Sequence, residues 1–260
     1  MRRGGVGRGG AMRAVAVTTA RYAGVGVLAA LLTAAFYRRA RAIPPKELAF
    51  EHSLNLGLAY AALALLALAL AIGPLARLEA RSLGRLVTVR REVGVVGGAL
   101  ALAHVVLSVK LHVQWRWLLF FFNLKDGRVA EVNYRIDGIA NWLGLAAVLL
   151  LVPILLSSND LSERFLGAPG WKWLQSHTYT LFALAAFHTS IFLQVRVKDR
   201  ARPDDFWRYF WLIVGGAIVL QWLAFAVTIA RRRARARRAA AGSRAGRRLE
   251  PEPTLAARED

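Results

Sequence analysis

Apolar residues in this chain come in long, nearly unbroken blocks, and that arrangement leaves few folds open. A soluble domain spaces its apolar residues at the period of a helix or a strand. A run of about 20 instead reads as a membrane crossing, because about 30 Å of hydrocarbon takes that many residues at helical rise. Six blocks qualify, at residues 15–37, 54–75, 93–109 (continuing through 111–113), 139–156, 173–195 and 206–229. The expected fold is therefore all-α: a polytopic membrane helical bundle of six transmembrane helices. The first block follows MRRGGVGRGGAMR, as a secretory signal would, but no small-residue cleavage site follows it. It reads as a retained span.

Charge placement orients the bundle. The chain carries 36 Lys and Arg against 16 Asp and Glu, a net charge of +20. These cations gather between and after the apolar blocks, where cytoplasmic loops and tails hold them. RRRARARRAAAGSRAGRR follows the sixth block, Arg2, Arg3, Arg8 and Arg13 precede the first, and Arg77, Arg81, Arg85, Arg90 and Arg91 lie between the second and third. Both termini are thus expected in the cytoplasm. YRRARAIPPK runs against the rule, being basic on the side expected to be outer. Three parts follow: a basic N-terminus (1–13), a six-span membrane domain (14–230) and a basic tail (231–260) expected to be disordered. Residues 114–123, QWRWLLFFFN, are too few to cross and are expected to form a helix lying in the interface.

Several function classes drop out. The basic residues accompany no nucleic-acid reading motif, so membrane lipid, not nucleic acid, is the expected partner. Cysteine is absent, which removes disulfides, iron–sulfur clusters and thiol catalysis. There is no paired carboxylate within a span, no GxSxG, no HExxH and no phosphate loop. GVGRGG at residues 5–10 follows no strand and is not a dinucleotide fingerprint. Pro153 and Gly73-Pro74 fall near span ends, which gives little support to the broken helices of a transporter.

That leaves the histidines. A histidine inside a bilayer is costly unless it is partnered, so each one there is a candidate site. His104 lies in GALALAHVVLSV of the third block and His188 in FALAAFHTS of the fifth. Those two spans run in the same direction, which brings both imidazoles to a similar depth in the outer half. Two imidazoles at one depth on two helices suit the axial positions of a haem iron. Gly94, Gly97 and Gly98 before His104, with Ala185 and Ala186 before His188, would clear room for a macrocycle, although small residues also serve helix packing. His177 stands eleven residues before His188, about 20° round and about 16 Å along an ideal helix. It faces the same way and is a further candidate, or an interfacial histidine bonded to a carbonyl or a headgroup. His52 and His112 sit at the outer ends of the second and third blocks, where exposure to water costs little; they read as surface residues, although His112 could contact a cofactor's propionate.

Read together, RREVGVVGGALALAH, SSNDLSERFLGAPGW and WKWLQSHTYTLFALAAFH resemble the ferric reductase-like transmembrane family. The likeness covers roughly residues 54–195 and is nearest to MsrQ (YedZ), the haem-binding membrane subunits of periplasmic methionine sulfoxide reductase systems. Arg91, Gly94, His104, Trp171, Tyr179 and His188 fall on the family pattern. The resemblance implies a b-type cytochrome with one outer haem b on His104 and His188. Its donor would be quinol or a flavin (FMN) reductase, its acceptor a periplasmic reductase, and its place a bacterial inner membrane. The family usually carries WxxLH, and here Gln175 occupies the histidine position, so a second, inner haem lacks that ligand. The competing reading is a haem-free membrane scaffold or small transporter with structural histidines.

Overall fold

The computed structural model describes residues 8–42, 50–125, 128–198 and 205–248. Nine helices and one short hairpin follow in order: α1 (Arg8–Arg41), α2 (Phe50–Leu78), α3 (Ala80–Leu83), α4 (Arg90–Val113), β1 (Phe122–Lys125), β2 (Arg128–Val132), α5 (Ile136–Leu156), α6 (Asp160–Ser176), α7 (Thr178–Lys198), α8 (Asp205–Phe210) and α9 (Gly216–Arg248). A 3₁₀ segment at Gly84–Val89 leads into α4, and a π-helical turn at Trp211–Gly215 joins α8 to α9. This is an all-α, multi-pass membrane bundle.

Five helical stretches are both long and apolar enough to cross, including Phe206–Ala240, which runs from α8 into α9. The fifth expected block, 173–195, falls on α7, which has 21 residues, or about 32 Å at helical rise, with Thr178, Thr180, His188, Thr189, Ser190 and Gln194 among its apolar residues. The expected start at Trp173 is corrected. Residues 160–176 form the separate helix α6, broken internally at Gly167 (φ 71°). Leu161, Phe165 and Trp173 on α6 are exposed, and Asn159 caps its start by accepting from the Ser162 N–H at 2.8 Å.

The expected interfacial helix at 114–123 is replaced by something tighter. Gln114 (φ 47°) and Trp115 (φ 67°) turn left-handed and end α4, and one 3₁₀ turn, Trp117–Phe120, follows. β1 and β2 then pair antiparallel. The basic tail is corrected as well: residues 231–248 continue α9 as helix. The remainder, 249–260, and the N-terminal residues 1–7 lie outside the described residues.

α2 is the centre of the bundle. In its most apolar stretch 61% of residues are buried, against 22% or fewer in the other four. It packs on α1, α4, α7 and α9. Small residues allow this approach: a Cβ on Gly57 would stand 2.9 Å from the Thr33 carbonyl oxygen of α1, and one on Gly97 would stand 3.0 Å from Leu65 Cβ. In lipid, where there is little hydrophobic drive between helices, close backbone approach supplies the packing energy. α5 and α7 form a second tight pair, and α5 meets α4 at few points. A space therefore opens between the α2–α4 side and the α5–α7 side.

Backbone groups freed within the bilayer are answered from neighbouring helices. Pro74 has no N–H to give Leu70, and Gln221 Nε2 of α9 donates to that carbonyl at 3.0 Å. Arg231 Nη1 and Nη2 donate to the carbonyls of Arg77 (2.7 Å) and Leu78 (3.1 Å), which end α2. Arg21 Nη1 of α1 reaches the Thr88 carbonyl at 3.1 Å. Arg21, Arg231 and the 77–88 connection thus meet at one end of the bundle; the hairpin marks the other.

Gln221→Leu should cost about 1 kcal/mol, the scale of an interhelical hydrogen bond in a membrane bundle. Adding Pro74→Ala returns a backbone donor to Leu70 and should remove most of that loss. Thermal unfolding in detergent of both single variants and the double variant checks this; an equal penalty in the two backgrounds would refute the role assigned to Gln221.

Candidate functional site

The space between the two helical pairs is a cavity of about 610 Å³, within the range of roughly 300–1,000 Å³ typical of cofactor sites. His104 of α4 and His188 of α7 both line it. The sequence places them on different spans, and the fold brings them to one chamber.

His188 is held by α5. Its Nδ1 lies 2.8 Å from the Ala140 carbonyl oxygen. A carbonyl only accepts, so Nδ1 carries the proton and Nε2 the lone pair. Gly144 makes this possible: a Cβ there would stand 2.9 Å from Nδ1 and 3.0 Å from Cε1. The ring lies where that side chain would be. Phe192, one turn further along α7, meets its edge with centroids 5.0 Å apart.

His104 is held by α2. Its Nδ1 lies 2.9 Å from Asn55 Oδ1 and 3.2 Å from the Asn55 backbone oxygen. Asn55 is buried, and its amide donates to Ser108 Oγ at 2.9 Å. Ser108 sits one turn beyond His104 on the same helix. With the amide nitrogen committed to Ser108, the oxygen faces the imidazole, and Nδ1 is again the donor. Both histidines therefore direct proton-bearing Nδ1 atoms at fixed acceptors, the second-sphere arrangement that sets tautomer and ring angle in metal-ligating histidines.

The other candidates lie elsewhere. His177 forms the junction between α6 and α7, its Nδ1 2.9 Å from the Trp173 carbonyl oxygen and its ring 4.5 Å from the Trp173 ring. It is not part of the cavity wall, which corrects the expectation that it shares the face of His188; the α6–α7 break interrupts the ideal helix on which that rested. Gly97 and Gly98 are also corrected. They face Leu65 and the Leu151–Leu155 pair respectively, so they serve helix crossings and not a macrocycle. Ala185 lines the cavity, while Ala186 is buried in the core cluster that includes residues of α2 and α8.

Gln175, at the family's second histidine position, has a structural task. Its Nε2 donates to the Ile154 carbonyl at 3.3 Å and to Ser157 Oγ at 3.2 Å. Trp171 Nε1 donates to the Ser157 carbonyl at 3.0 Å. Arg91 binds the Ser158 carbonyl at 2.8 Å and pairs with Asp160 at 2.5 Å. Residues 154–160 are thereby tied to α4, α6 and each other at the end opposite the hairpin.

Asn55, Ser108 and Gly144 are residues of the candidate site that the sequence reading passes over. An asparagine within the apolar run of α2 was the available signal for the first; Gly144 carried none, because its role appears only when α7 is beside it. Among the described residues, no three His, Cys, Asp or Glu gather to bind a metal ion on protein ligands alone. Two imidazoles on one cavity wall, each anchored at Nδ1, fit a metal that brings most of its own coordination sphere, as haem iron does.

Comparison with known proteins supports this setting. The family described as "Ferric reductase like transmembrane component" matches residues 57–186, half of the chain. Magnetosome protein MamZ of Magnetospirillum gryphiswaldense is 32% identical over 128 residues, 49% of this chain and 17% of that protein. Magnetosome protein MamZ of Paramagnetospirillum magneticum is 29% identical over 130 residues, again 49% and 17%. The matched segment thus covers about a sixth of the length of these relatives.

Nitrogen-15 spectra of histidine-labelled protein should show His104 and His188 as fixed Nδ1–H tautomers. In Asn55→Leu His104 keeps only the more distant backbone acceptor of residue 55, so its signal should shift toward a mixture of tautomers while His188 is unchanged. A His104 signal unchanged by the substitution would remove Asn55 from this role.

Proposed function

Because this chain belongs to the ferric reductase-like transmembrane component family, we propose that it is a b-type membrane cytochrome that carries electrons across the bilayer. His104 of α4 and His188 of α7 would hold one haem. The observation that carries this reading is the shared cavity, into whose wall both histidines are locked by a carbonyl acceptor at Nδ1. Bound there, haem supplies reversible one-electron chemistry, with a potential set by its axial ligands and surroundings.

The residues divide the work. Asn55 and Ala140 fix the two rings and raise the basicity of their Nε2 atoms, as acceptors at Nδ1 do for metal-bound histidines. Gly144 admits the His188 ring. Leu66, Leu151 and Leu181 give the cavity an apolar end, which excludes water and favours a hydrophobic macrocycle. Gln175 makes contacts that tie helices together, and no haem ligand is assigned to the inner half.

The positive-inside rule favours the Arg21, Arg77 and Arg231 end as the cytoplasmic one, and this reading sets the chain in a bacterial inner membrane with the hairpin outside. Electrons then enter from quinol or a flavin (FMN) reductase on the cytoplasmic side. They leave to an outer reductase; a periplasmic methionine sulfoxide reductase is the partner in the MsrQ-like version of this reading.

Protein expressed with ample haem should show a sharp, low-spin b-type spectrum on reduction, with one haem per chain by pyridine haemochromogen. His104→Ala and His188→Ala should each abolish the low-spin form, whereas His177→Ala should retain most of it. Gly144→Leu should lose it too, though no ligand is changed. A wild-type protein without haem refutes the reading, and equal loss in all three histidine variants refutes the ligand assignment.

A further inference from the structure

The cavity has unlike ends. Toward the arginine-rich end its wall is Leu66, Leu151 and Leu181; toward the hairpin it carries His52, His112, Asp137 and Asn141. His52 lies in the first turn of α2 and His112 in the last of α4. Their rings meet edge to face, with centroids 5.5 Å apart and planes at 81°. Nothing in the axial ligation described above uses them.

We infer that His52 and His112 form a carboxylate-binding subsite that receives the propionates of the haem and fixes which way round it enters. The inference rests on the haem reading. Haem b is amphiphilic: its carboxylates lie on one edge, and burying them against leucine would forfeit their solvation without recompense. Only the hairpin end offers polar side chains. His112 lies eight residues beyond His104, about 12 Å along the helix, and Asn55 links the other side, three residues from His52 on α2. The pair therefore stands beyond the axial ligands toward the mouth, where the edge of a macrocycle held at Nε2 would carry its carboxylates.

The neighbouring charges leave this role to the imidazoles. Lys110, beside His112, is paired with Glu51 at 2.6 Å. Asp137, the acid on the cavity wall, has Arg135 at 3.6 Å to offset it. An imidazole N–H donated to a carboxylate is a charge-assisted hydrogen bond, and such bonds are roughly twice as strong as neutral ones.

The test compares haem with haem dimethyl ester, whose carboxylates are masked, by Soret titration of the haem-depleted full-length protein in detergent. Wild type should bind the ester about tenfold or more weakly, the equivalent of one charge-assisted hydrogen bond. In His52→Gln/His112→Gln, haem affinity should fall to the level of the ester while ester affinity stays the same. The low-spin spectrum should persist in every case, and the propionate bending modes in resonance Raman spectra should shift in the double variant. Equal wild-type affinity for haem and ester, or equal weakening of both in the variant, overturns the subsite and leaves the axial ligands standing. Absence of a low-spin spectrum with either compound in wild type defeats the haem reading itself, and this inference with it.

Discussion

A polar group inside hydrocarbon has no water to fall back on, and its partner must come from the protein. Each unmet backbone or side-chain group costs several kcal/mol in such a medium, so the polar atoms within the spans decide which helices must lie side by side. Asn55 draws α2 to α4 through His104 and Ser108. Ala140 draws α5 to α7 through His188. Leu70, freed by Pro74, draws α9 to α2 through Gln221. Packing of leucine and alanine fills the contacts between these pairs, but leucine meets lipid about as well as it meets leucine. The hydrogen bonds are what make one arrangement of the helices preferable to another.

The same constraint explains how the cavity survives. α4 and α5 would close on each other if both pairs were free to slide. α4 is fixed to α2 and α5 to α7, and the strap of Arg91, Ser158, Asp160, Gln175 and Trp171 holds the two pairs at one end. At the other end the hairpin segment packs Phe121 and Phe122 on Trp142 of α5, at 4.8 and 5.9 Å between centroids. The chamber is bounded at both ends by contacts that leave its middle open.

Much of this was legible in the sequence. Long apolar blocks locate the crossing helices, because the bilayer sets their length, although the last helix runs on past the expected end at 229 to Arg248. The apolar run points to α7, but not to its break from α6 at His177, because the helical period continues across 173–178. The strand pair is not anticipated: tryptophan and arginine beside apolar residues at 114–123 make the segment read as an interfacial helix. His104 and His188 stood out because ionisable groups in apolar runs are rare. What pattern could not give was the partner of each ring or the glycines' true neighbours. Gly97 and Gly98 before a histidine read equally well as cofactor space or as helix crossing; Leu65, Leu151 and Leu155 make them the latter.

Gly144 has a wider consequence. The His188 ring occupies the volume of the side chain that residue 144 lacks, while accepting its orientation from the carbonyl four residues earlier. Histidine and glycine are thus two halves of one shape, divided between helices 44 positions apart in the chain. A related chain that keeps the histidine but carries a branched residue at the matching place cannot seat the ring in this way. Its imidazole must take another rotamer, or its helices must stand further apart. The glycine is therefore the better diagnostic of this geometry, since a histidine by itself says only that nitrogen is present.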